Sequence, residues 1–538
     1  MRLGLASYYR ELSRSKDPIL RVAAWRALID LNAVIPSQYE QLIADCKFAG
    51  VRQKAFDFFE STFDHASAAR AAATESINPE LARSALMAGQ IAGDAAAISA
   101  AEESLFLASG EPQHLMAMVT NAELSGGWRP GVEAAARAVA ALPHQNALAS
   151  VFMNLIEVAR RASLMAEFAE ILRPVAAHPY MAVLLTMAQA SCAQMEGDEA
   201  KCIALLKGLD RDPAVAKASA LFRRNINLTL GACLDKVGRY KEAFEAFVVR
   251  NNTDKQSDKF NGRDYYGQID WRNNLKVPPL PPDPRIDTIQ MLGFPRSGTT
   301  LLENVLNAHP LIETFEEIPA LSAAIVHLRR VETFGPPASL QTPGPFLETR
   351  SRYYAEIDRR RKKPDALFLV DKLPLNSADA PFTQRLLPNL RYIFSIRHPF
   401  DVVFSCFRQA FGPNVAMANF YTIADAARLY DFVMNAWFSV HPLSDPAVHY
   451  VRYEELVTDF DRVVGETLEF IGVPWNDDVR GFAEKAAGRA TKTPSYRKVR
   501  QGLSLGVQTS WQNYEFLFRT PETKPLLRWT EFFGYETK

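Results

Sequence analysis

The chain has 538 residues, of which 48% are hydrophobic and 23% are charged, a balance typical of a soluble globular protein with more than one domain. Lys plus Arg and Asp plus Glu both number 61, so no overall field attracts the chain to nucleic acid or to an anionic membrane. Any recognition of an anion must therefore be local.

The cysteines and the N-terminus predict a cytoplasmic location. The five cysteines are an odd number without CxxC spacing, which argues for a reducing compartment and against a zinc site or a disulfide framework. The first residues, MRLGLASYYRELSRSKDP, contain no long apolar stretch, so we expect no signal peptide. The most apolar window, residues 180–193, is interrupted by polar residues and is too short to span a bilayer.

Residues 1–250 have the pattern of an all-α solenoid, because Ala and Leu recur at helical spacing with few β-branched runs. Glycine-led segments start at Gly93, Gly127, Gly197 and Gly238. The first two glycines are 34 residues apart, which is the period of a tetratricopeptide repeat. Short helix pairs of this kind complete their core by stacking on neighbours. The pattern predicts tetratricopeptide-like repeats, with an irregular α-solenoid as the alternative.

Residues 251–284 are predicted to be a linker that separates two domains. A polar segment is followed by KVPPLPPDP, which has five prolines within positions 278–284. Proline fixes φ and removes a main-chain donor, so this stretch reads as extended chain. We therefore expect the repeat domain at 1–250 and a second domain at 285–538.

The second domain alternates strands and helices. Buried strands are predicted in RIDTIQML, DALFLVD, LRYIFSI and AVHYVRY, at residues 285–292, 365–371, 390–396 and 447–453. Helical patterns follow the first, third and fourth of these segments. This alternation predicts an α/β fold with a parallel sheet covered by helices on both faces. Ligands of such folds bind at the carboxyl ends of the strands.

A glycine-rich loop, GFPRSGTT, follows the first predicted strand. Gly293 and Gly298 allow a sharp turn, and the main-chain N–H groups at the start of the next helix are expected to face an anion. Further donors are the side chains of Arg296, Ser297, Thr299 and Thr300. A nucleoside triphosphate loop has a lysine after its second glycine, where this chain has a threonine. The loop therefore suits a ligand with neither a triphosphate nor an obligatory metal.

A second anion site is predicted where the third strand ends. In FSIRHPFDVVFSCF, Arg397 follows the strand and Ser405 lies eight residues later in the following helix. Guanidinium and hydroxyl donors near strand and helix ends form an anion pocket. Two anion sites at two strand ends suit a nucleotide that is phosphorylated at two separate positions.

The two motifs resemble those of a known family. Residues 294–300, FPRSGTT, resemble the 5′-phosphosulfate loop of sulfotransferases, and Arg397 with Ser405 resembles their 3′-phosphate motif. The resemblance covers residues 286–535 and is to bacterial tetratricopeptide-repeat sulfotransferases and, more distantly, to tyrosylprotein sulfotransferases. It implies a P-loop-like sulfotransferase domain that uses 3′-phosphoadenosine 5′-phosphosulfate (PAPS) as donor, releases 3′,5′-adenosine bisphosphate (PAP) and needs no metal.

The resemblance also implies a role for each matching residue. Glu317 is at the second Glu of the family's Glu–Glu pair and is similar to the catalytic base there, whereas Glu316 is expected to be structural. Lys372 and Arg296 are implied to stabilise the transferring sulfuryl group. The residues implied to contact the nucleotide are Pro295, Arg296, Ser297, Gly298, Thr299, Thr300, Arg397, Ser405, Tyr453 and Ser495.

Near the C-terminus the chain both matches and departs from the family pattern. Trp511 matches a tryptophan of the family, but Ser510 before it replaces a residue that is usually basic. Lys498 replaces a common Gln ahead of a Val-Arg pair. We expect a neighbouring cation such as Arg497 or Arg500 to compensate.

The sequence favours a PAPS-dependent sulfotransferase whose acceptor is a hydroxyl of a protein tyrosine, a carbohydrate or a small molecule. Two alternatives stay open: a divergent P-loop kinase, and a repeat scaffold whose C-terminal domain binds a nucleotide without turnover. The concave face of a helical solenoid is a natural peptide-binding groove, so we expect the repeats to bind a protein or peptide acceptor or to form a homodimer. No nucleic-acid partner is expected.

Overall fold

The computed structural model describes residues 2–31, 33–47, 49–61, 79–92, 95–111, 179–212, 220–336, 338–483 and 510–536, and a few short stretches between 113 and 215. The chain divides into two compact units, Met1–Arg239 and Tyr240–Lys538. No helix in this described part is both long enough and apolar enough to cross a membrane.

The described part of the first unit is helical. Its helices are α1 (Arg2–Leu12), α2 (Pro18–Asp30), α3 (Tyr39–Asp45), α4 (Ala49–Ser61), α5 (Pro79–Ala92), α6 (Ala95–Ser109), α7 (Pro179–Glu196), α8 (Glu199–Asp210) and α9 (Ala220–Lys236). Neighbouring helices pack in pairs, as α5 does with α6 and α7 with α8. Trp25, Leu28 and Phe59 are fully buried in the core formed by the first helices.

Two of the four glycines that suggested repeats lie at turns that follow helices. Gly197 follows α7 with φ +83°, and Gly238 follows α9 with φ +77°, and both values are in the left-handed region that glycine adopts without strain. Gly93 and Gly127 lie outside the described residues. The helical prediction is confirmed for the described part of this unit, and tetratricopeptide repeats stay a prediction.

The second unit begins earlier than the predicted boundary after residue 250. Helix α10 (Tyr240–Ser257) belongs to it, and the predicted linker also contains α11 (Gly262–Asn274). The polar composition that indicated a linker has a different cause. Arg250 and Asn251 are buried, and both donate hydrogen bonds to the main-chain oxygen of Phe407, at 2.6 and 3.0 Å.

The sheet of the second unit has five parallel strands in the order β2-β3-β1-β4-β5. They are β1 (Thr288–Gly293), β2 (Ile312–Glu316), β3 (Phe368–Lys372), β4 (Arg391–Ile396) and β5 (Val448–Arg452). The four predicted strands and the parallel α/β arrangement are confirmed, and β2 is an addition. Strand β1 is central and buried along its whole length, including its polar residues Thr288 and Gln290.

Helices follow the strands in this unit. They are α12 (Thr299–Ala308), α13 (Ala320–Phe334), α14 (Pro343–Arg359), α15 (Ala380–Leu386), α16 (Pro399–Arg408), α17 (Ile423–Phe438), α18 (Tyr453–Thr458), α19 (Phe460–Ile471) and α20 (Lys524–Phe532). Helix α12 begins at Thr299, the seventh residue of the glycine-rich loop sequence, and two residues separate β4 from α16.

The strand register brings the predicted site residues to one edge of the sheet. Lys372 at the end of β3 is level with Glu316 at the end of β2 and with Met291 near the end of β1. On the other side of β1, Ile396 at the end of β4 is level with Arg452 at the end of β5. The glycine-rich loop therefore lies between two groups of side chains at the carboxyl ends of the strands.

Candidate active site

The glycine-rich loop has a backbone that only a few residue types tolerate. Gly298 has φ +98°, and a Cβ atom added there would lie 2.5 Å from Cδ2 of Tyr453. Gly293 is equally confined, because a Cβ atom would lie 2.7 Å from the main-chain oxygen of Ser395. Both glycines are therefore required by the close approach of β4 and α18 to the loop.

Arg296 and Ser405, predicted at two different anion sites, are in direct contact. Arg296 Nε donates a hydrogen bond to Ser405 Oγ at 3.1 Å, which joins the loop to helix α16. Burial, with a smaller contribution from the nearby guanidinium groups of Arg408 and Arg397, lowers the pKa of Arg296 to about 10. This concentration of positive charge favours a bound anion.

Arg397 lies on the other side of the same loop. Its Nη1 donates to the main-chain oxygen of Arg296 at 3.3 Å, and its guanidinium lies over the ring of Tyr453, 4.6 Å from the centroid. Ser297 lies in the same region, with its hydroxyl oxygen buried and without a hydrogen-bond partner among the described residues. The structure thus brings the loop, Arg397, Ser405 and Tyr453 together.

Lys372 is fully buried at the end of β3 and is surrounded by three carboxylates. Its Nζ lies 3.1 Å from Glu317 Oε1, 3.8 Å from Glu303 Oε2 and 4.0 Å from Glu316 Oε1. Glu303 is buried on α12, whereas the side chain of Glu317 is 38% exposed. The ammonium group of Lys372 therefore lies between the solvent-exposed carboxylate of Glu317 and the buried carboxylate of Glu303.

The backbone at two site residues is unusual. Among the described residues, only Arg296, Glu317 and Ala338 are non-glycine residues with positive φ. Glu317 has φ +47°, and its N–H donates to the main-chain oxygen of Lys372 at 2.8 Å. Left-handed backbone disfavours non-glycine residues and occurs often at functional sites, where the surrounding contacts maintain it. Two of the three predicted catalytic residues, Arg296 and Glu317, therefore have this uncommon backbone conformation.

Glu303 and strand β2 were missed in the sequence. Thr314 Oγ1 of β2 donates to Glu303 Oε1 at 2.9 Å, so the two features belong together. The sequence signal that could have identified Glu303 was an acidic residue directly after two leucines in the first turns of α12, four residues after Thr299. A carboxylate in a predicted buried helix position needs a cation or a donor nearby.

A second buried network lies behind Lys372, on the opposite face of β3. Tyr353 OH donates to Asp371 Oδ2 at 3.0 Å and accepts from Gln290 Nε2 at 3.1 Å. All three side chains are fully buried. Burial raises the pKa of Asp371 to about 7, although the hydrogen bonds from Tyr353 and Gln290 act in the opposite direction.

This network predicts a stability change with pH. Because the folded state raises the pKa of Asp371 from 3.8 to about 7, the folded state binds this proton more tightly than the unfolded chain does. We expect the contribution of Asp371 to stability to be full below pH 3.8 and to fall, by a few kcal/mol, as the pH rises to about 7. Urea unfolding of the wild type and of Asp371→Asn across this pH range measures that contribution.

The difference in stability between the wild type and Asp371→Asn reports the titration of this one residue. Asp371→Asn keeps an acceptor for Tyr353 and has no titrating group, so it should become more stable relative to the wild type as the pH rises. A stability difference that is independent of pH would show that Asp371 does not titrate in this range.

The remaining predicted residues near the C-terminus are placed as follows. Trp511 is buried, its main-chain N–H donates to Asp401 Oδ1 at 3.0 Å, and its ring stacks on that of His398 with centroids 4.8 Å apart. Trp511 therefore packs beside the first turn of α16. Ser495, Arg497, Lys498 and Arg500 lie outside the described residues. Within the described part of the chain, no group of three or more His, Cys, Asp or Glu side chains is arranged to bind a metal.

Comparison with known proteins agrees with the motifs. Residues 288–477 match the sulfotransferase family. This confirms the resemblance predicted from the sequence, and the match spans β1 to the region after α19, which includes every described residue of the proposed site except Trp511. The tetratricopeptide and bacterial parts of that resemblance remain expectations.

Individual relatives are similar over part of the chain. A protein of Aquifex aeolicus named as uncharacterized is 26% identical over 334 residues, which are 58% of this chain and 42% of that protein. A protein-tyrosine sulfotransferase of Drosophila melanogaster is 27% identical over 202 residues, which are 35% of this chain and 38% of that protein. The chain therefore spans less than half the length of these two relatives.

Two solved sulfotransferase structures are similar to part of the chain. The domain from the Synechococcus PCC 7002 olefin synthase is 19% identical with a TM-score of 0.36, and the match covers 49% of this chain and all of that domain. A mouse sulfotransferase complexed with PAP is 19% identical with a TM-score of 0.29, and the match covers 46% of this chain and 84% of that one.

Proposed function

We propose that this protein transfers a sulfuryl group from PAPS to a hydroxyl of an acceptor, with Glu317 as the base. The contact between Lys372 and Glu317, 3.1 Å apart beside the glycine-rich loop, is the observation that carries the proposal. It pairs a solvent-accessible proton acceptor with a buried cation at the carboxyl edge of the sheet. The match of residues 288–477 to the sulfotransferase family supports this chemistry.

The residues at the loop fit a nucleotide with two separate anionic groups. Arg296 and Arg397 supply guanidinium donors, and the buried Ser297 hydroxyl has no hydrogen-bond partner in the part of the chain that the structure describes. The N-terminus of α12, with its main-chain N–H groups and dipole, adds positive potential at the same place. Residues 295–300 would bind the phosphosulfate end, and Arg397, Ser405 and Tyr453 would bind the 3′-phosphate end.

The chain's own residues then have distinct tasks. PAPS, when bound, supplies an activated sulfuryl group. Glu317 accepts the proton of the acceptor hydroxyl, which makes its oxygen a better nucleophile. Lys372 and Arg296 stabilise the negative charge that develops at this edge of the sheet. The contact of Arg296 with Ser405 fixes the two anion sites relative to each other, which orients the donor.

The acceptor belongs to the class of hydroxyl compounds, because one carboxylate base serves any of them. The partial likeness to a protein-tyrosine sulfotransferase supports a protein tyrosine among these acceptors, beside carbohydrate and small-molecule hydroxyls. A protein or peptide acceptor would bind to the N-terminal helical unit if that unit forms repeats, because stacked helix pairs present a concave surface.

Transfer of label from PAPS tests the proposed function. Purified full-length protein is incubated with a cell extract and PAPS labelled in its sulfuryl group, and the label is followed into protein, glycan and lipid fractions. We expect label in one of these fractions with the wild type and not with Glu317→Gln. Absence of transfer by a protein that binds 3′,5′-adenosine bisphosphate would favour the non-catalytic scaffold, and phosphate transfer from magnesium-ATP would favour the kinase.

A further inference from the structure

Two cysteines of the first unit have their sulfur atoms in contact. Cys202 on α8 and Cys233 on α9 are both fully buried, and their Sγ atoms are 3.1 Å apart. Both are free thiols in the structure. The distance is that of a close sulfur–sulfur contact and exceeds the length of a disulfide bond by about 1 Å.

Two flanking contacts keep these sulfur atoms opposite each other. Glu199, one turn before Cys202 on α8, forms an ion pair with Lys236, one turn after Cys233 on α9. Near the other ends of the two helices, Asn227 Nδ2 donates to Asp210 Oδ1 at 3.2 Å. The two helices are therefore antiparallel, and polar contacts on both sides of the cysteines fix their register.

We propose that Cys202 and Cys233 form a modification site, a dithiol that low-molecular-weight disulfides such as oxidised glutathione convert reversibly into an intramolecular disulfide bond. The sulfur contact and the fixed register of α8 and α9 support the proposal, because a disulfide requires two cysteines already close and facing each other. The site is independent of the sulfotransferase chemistry proposed above.

The chemistry is a pair of thiol–disulfide exchanges. The hydrogen bond with Cys202 lowers the pKa of Cys233, and Lys236 nearby also favours its thiolate. Both sulfur atoms are buried, so the exchange takes place when the α8–α9 pair opens locally. The Cys233 thiolate attacks one sulfur of oxidised glutathione, forms a mixed disulfide and releases one glutathione thiolate. The Cys202 thiol then loses its proton to solvent, and its sulfur attacks Cys233 Sγ and releases the second. The protein loses two protons and two electrons, and two molecules of reduced glutathione result.

Formation of the bond has a mechanical consequence for the first unit. It closes a loop between two cysteines that are 31 residues apart in sequence, which restricts the unfolded chain more than the folded one. The oxidised helix pair α8–α9 should therefore unfold at a higher denaturant concentration than the reduced pair. Reduction should restore the original midpoint.

Thiol counting on the full-length protein tests the proposal. The folded protein is equilibrated with oxidised glutathione, denatured and alkylated, and the adducts are counted by mass spectrometry. We expect alkylation of all five cysteines before oxidation and of three afterwards, with a mass loss of two hydrogen atoms and a proteolytic peptide that joins Cys202 to Cys233. Dithiothreitol should restore five adducts.

Two variants sharpen the result. Cys192→Ala removes a half-buried thiol of α7 and should still lose two thiols on oxidation. Cys202→Ala should lose none to an intramolecular bond and should retain, at most, one glutathione adduct on Cys233. Five alkylated thiols in the wild type after equilibration, or a cross-linked peptide that contains another cysteine, would overturn the proposal.

Discussion

Glu317→Gln is expected to reduce kcat by about 10²- to 10⁴-fold, the usual contribution of a positioned general base. The amide has nearly the same size as the carboxylate but cannot accept the acceptor's proton. Because the N–H of Glu317 bonds to the main-chain oxygen of Lys372, the backbone that positions the side chain should be unchanged. Affinity for 3′,5′-adenosine bisphosphate, measured by calorimetry, should remain within a factor of about two, because Glu317 is not among the residues proposed to bind the nucleotide.

Glu316→Gln is the matched control for this experiment. Glu316 is the last residue of β2, its carboxylate lies 4.0 Å from Lys372 Nζ, and its sequence neighbour is Glu317. Both Glu316→Gln and Glu317→Gln therefore remove a negative charge beside Lys372, but only Glu317→Gln removes the proposed base. We expect a much smaller reduction of kcat for Glu316→Gln. Wild-type kcat in Glu317→Gln, or equal losses in the two variants, would contradict the assignment of the base.

Lys372→Met is expected to lower both activity and stability. The variant removes the cation that lies 3.8 Å from the buried carboxylate of Glu303, and breaking a buried ion pair costs about 3–5 kcal/mol. It also removes positive charge from the edge of the sheet where the sulfuryl group is proposed to transfer. Urea unfolding measures the loss of stability, and kcat, determined well below the unfolding transition, measures the loss of activity.

A double variant separates these two effects. Lys372→Met combined with Glu303→Gln removes the unpaired charge together with its partner, so most of the lost stability should return. Activity should not return, because the catalytic cation is still absent. A double variant that regains activity along with stability would show that Lys372 has a structural role only.

The sequence predicted the parts of the site that depend on short, continuous patterns. The loop from Gly293 to Thr300 follows a buried strand, and its two glycines mark a tight turn from strand to helix, although the contacts with Ser395 and Tyr453 that require them come from distant parts of the chain. Arg397 and Lys372 were placed correctly at strand ends, because strand ends are easy to recognise where an apolar run stops.

Features that depend on distant partners were not predictable in the same way. Strand β2 has only five residues, and Glu313 within it is buried because its carboxylate accepts from the main-chain N–H groups of Lys362 and Lys363, at 2.8 Å each. The contact between Arg296 and Ser405 joins residues 109 positions apart. In each case a polar residue that looks exposed in the sequence has a buried partner supplied by another part of the fold.

The boundary between the two units illustrates the same limit. Residues around 250 are polar, so the sequence indicated the start of a linker. In the structure Arg250 and Asn251 are buried against the C-terminal end of α16 and donate to its Phe407 carbonyl. A helix C-terminus has main-chain oxygens without intrahelical partners, and polar side chains that satisfy them belong to the core of the unit.

Titration calorimetry with 3′,5′-adenosine bisphosphate examines the proposed nucleotide site most directly. We expect saturable binding without added metal, and a loss of about 10- to 100-fold in affinity for Arg397→Ala, which removes a charge-assisted hydrogen bond worth about 1.5–3 kcal/mol. Adenosine 5′-monophosphate, which has no 3′-phosphate, should bind the wild type and Arg397→Ala alike. No heat with 3′,5′-adenosine bisphosphate, together with saturable binding of magnesium-ATP, would contradict the proposal that this loop binds the donor of a sulfuryl transfer.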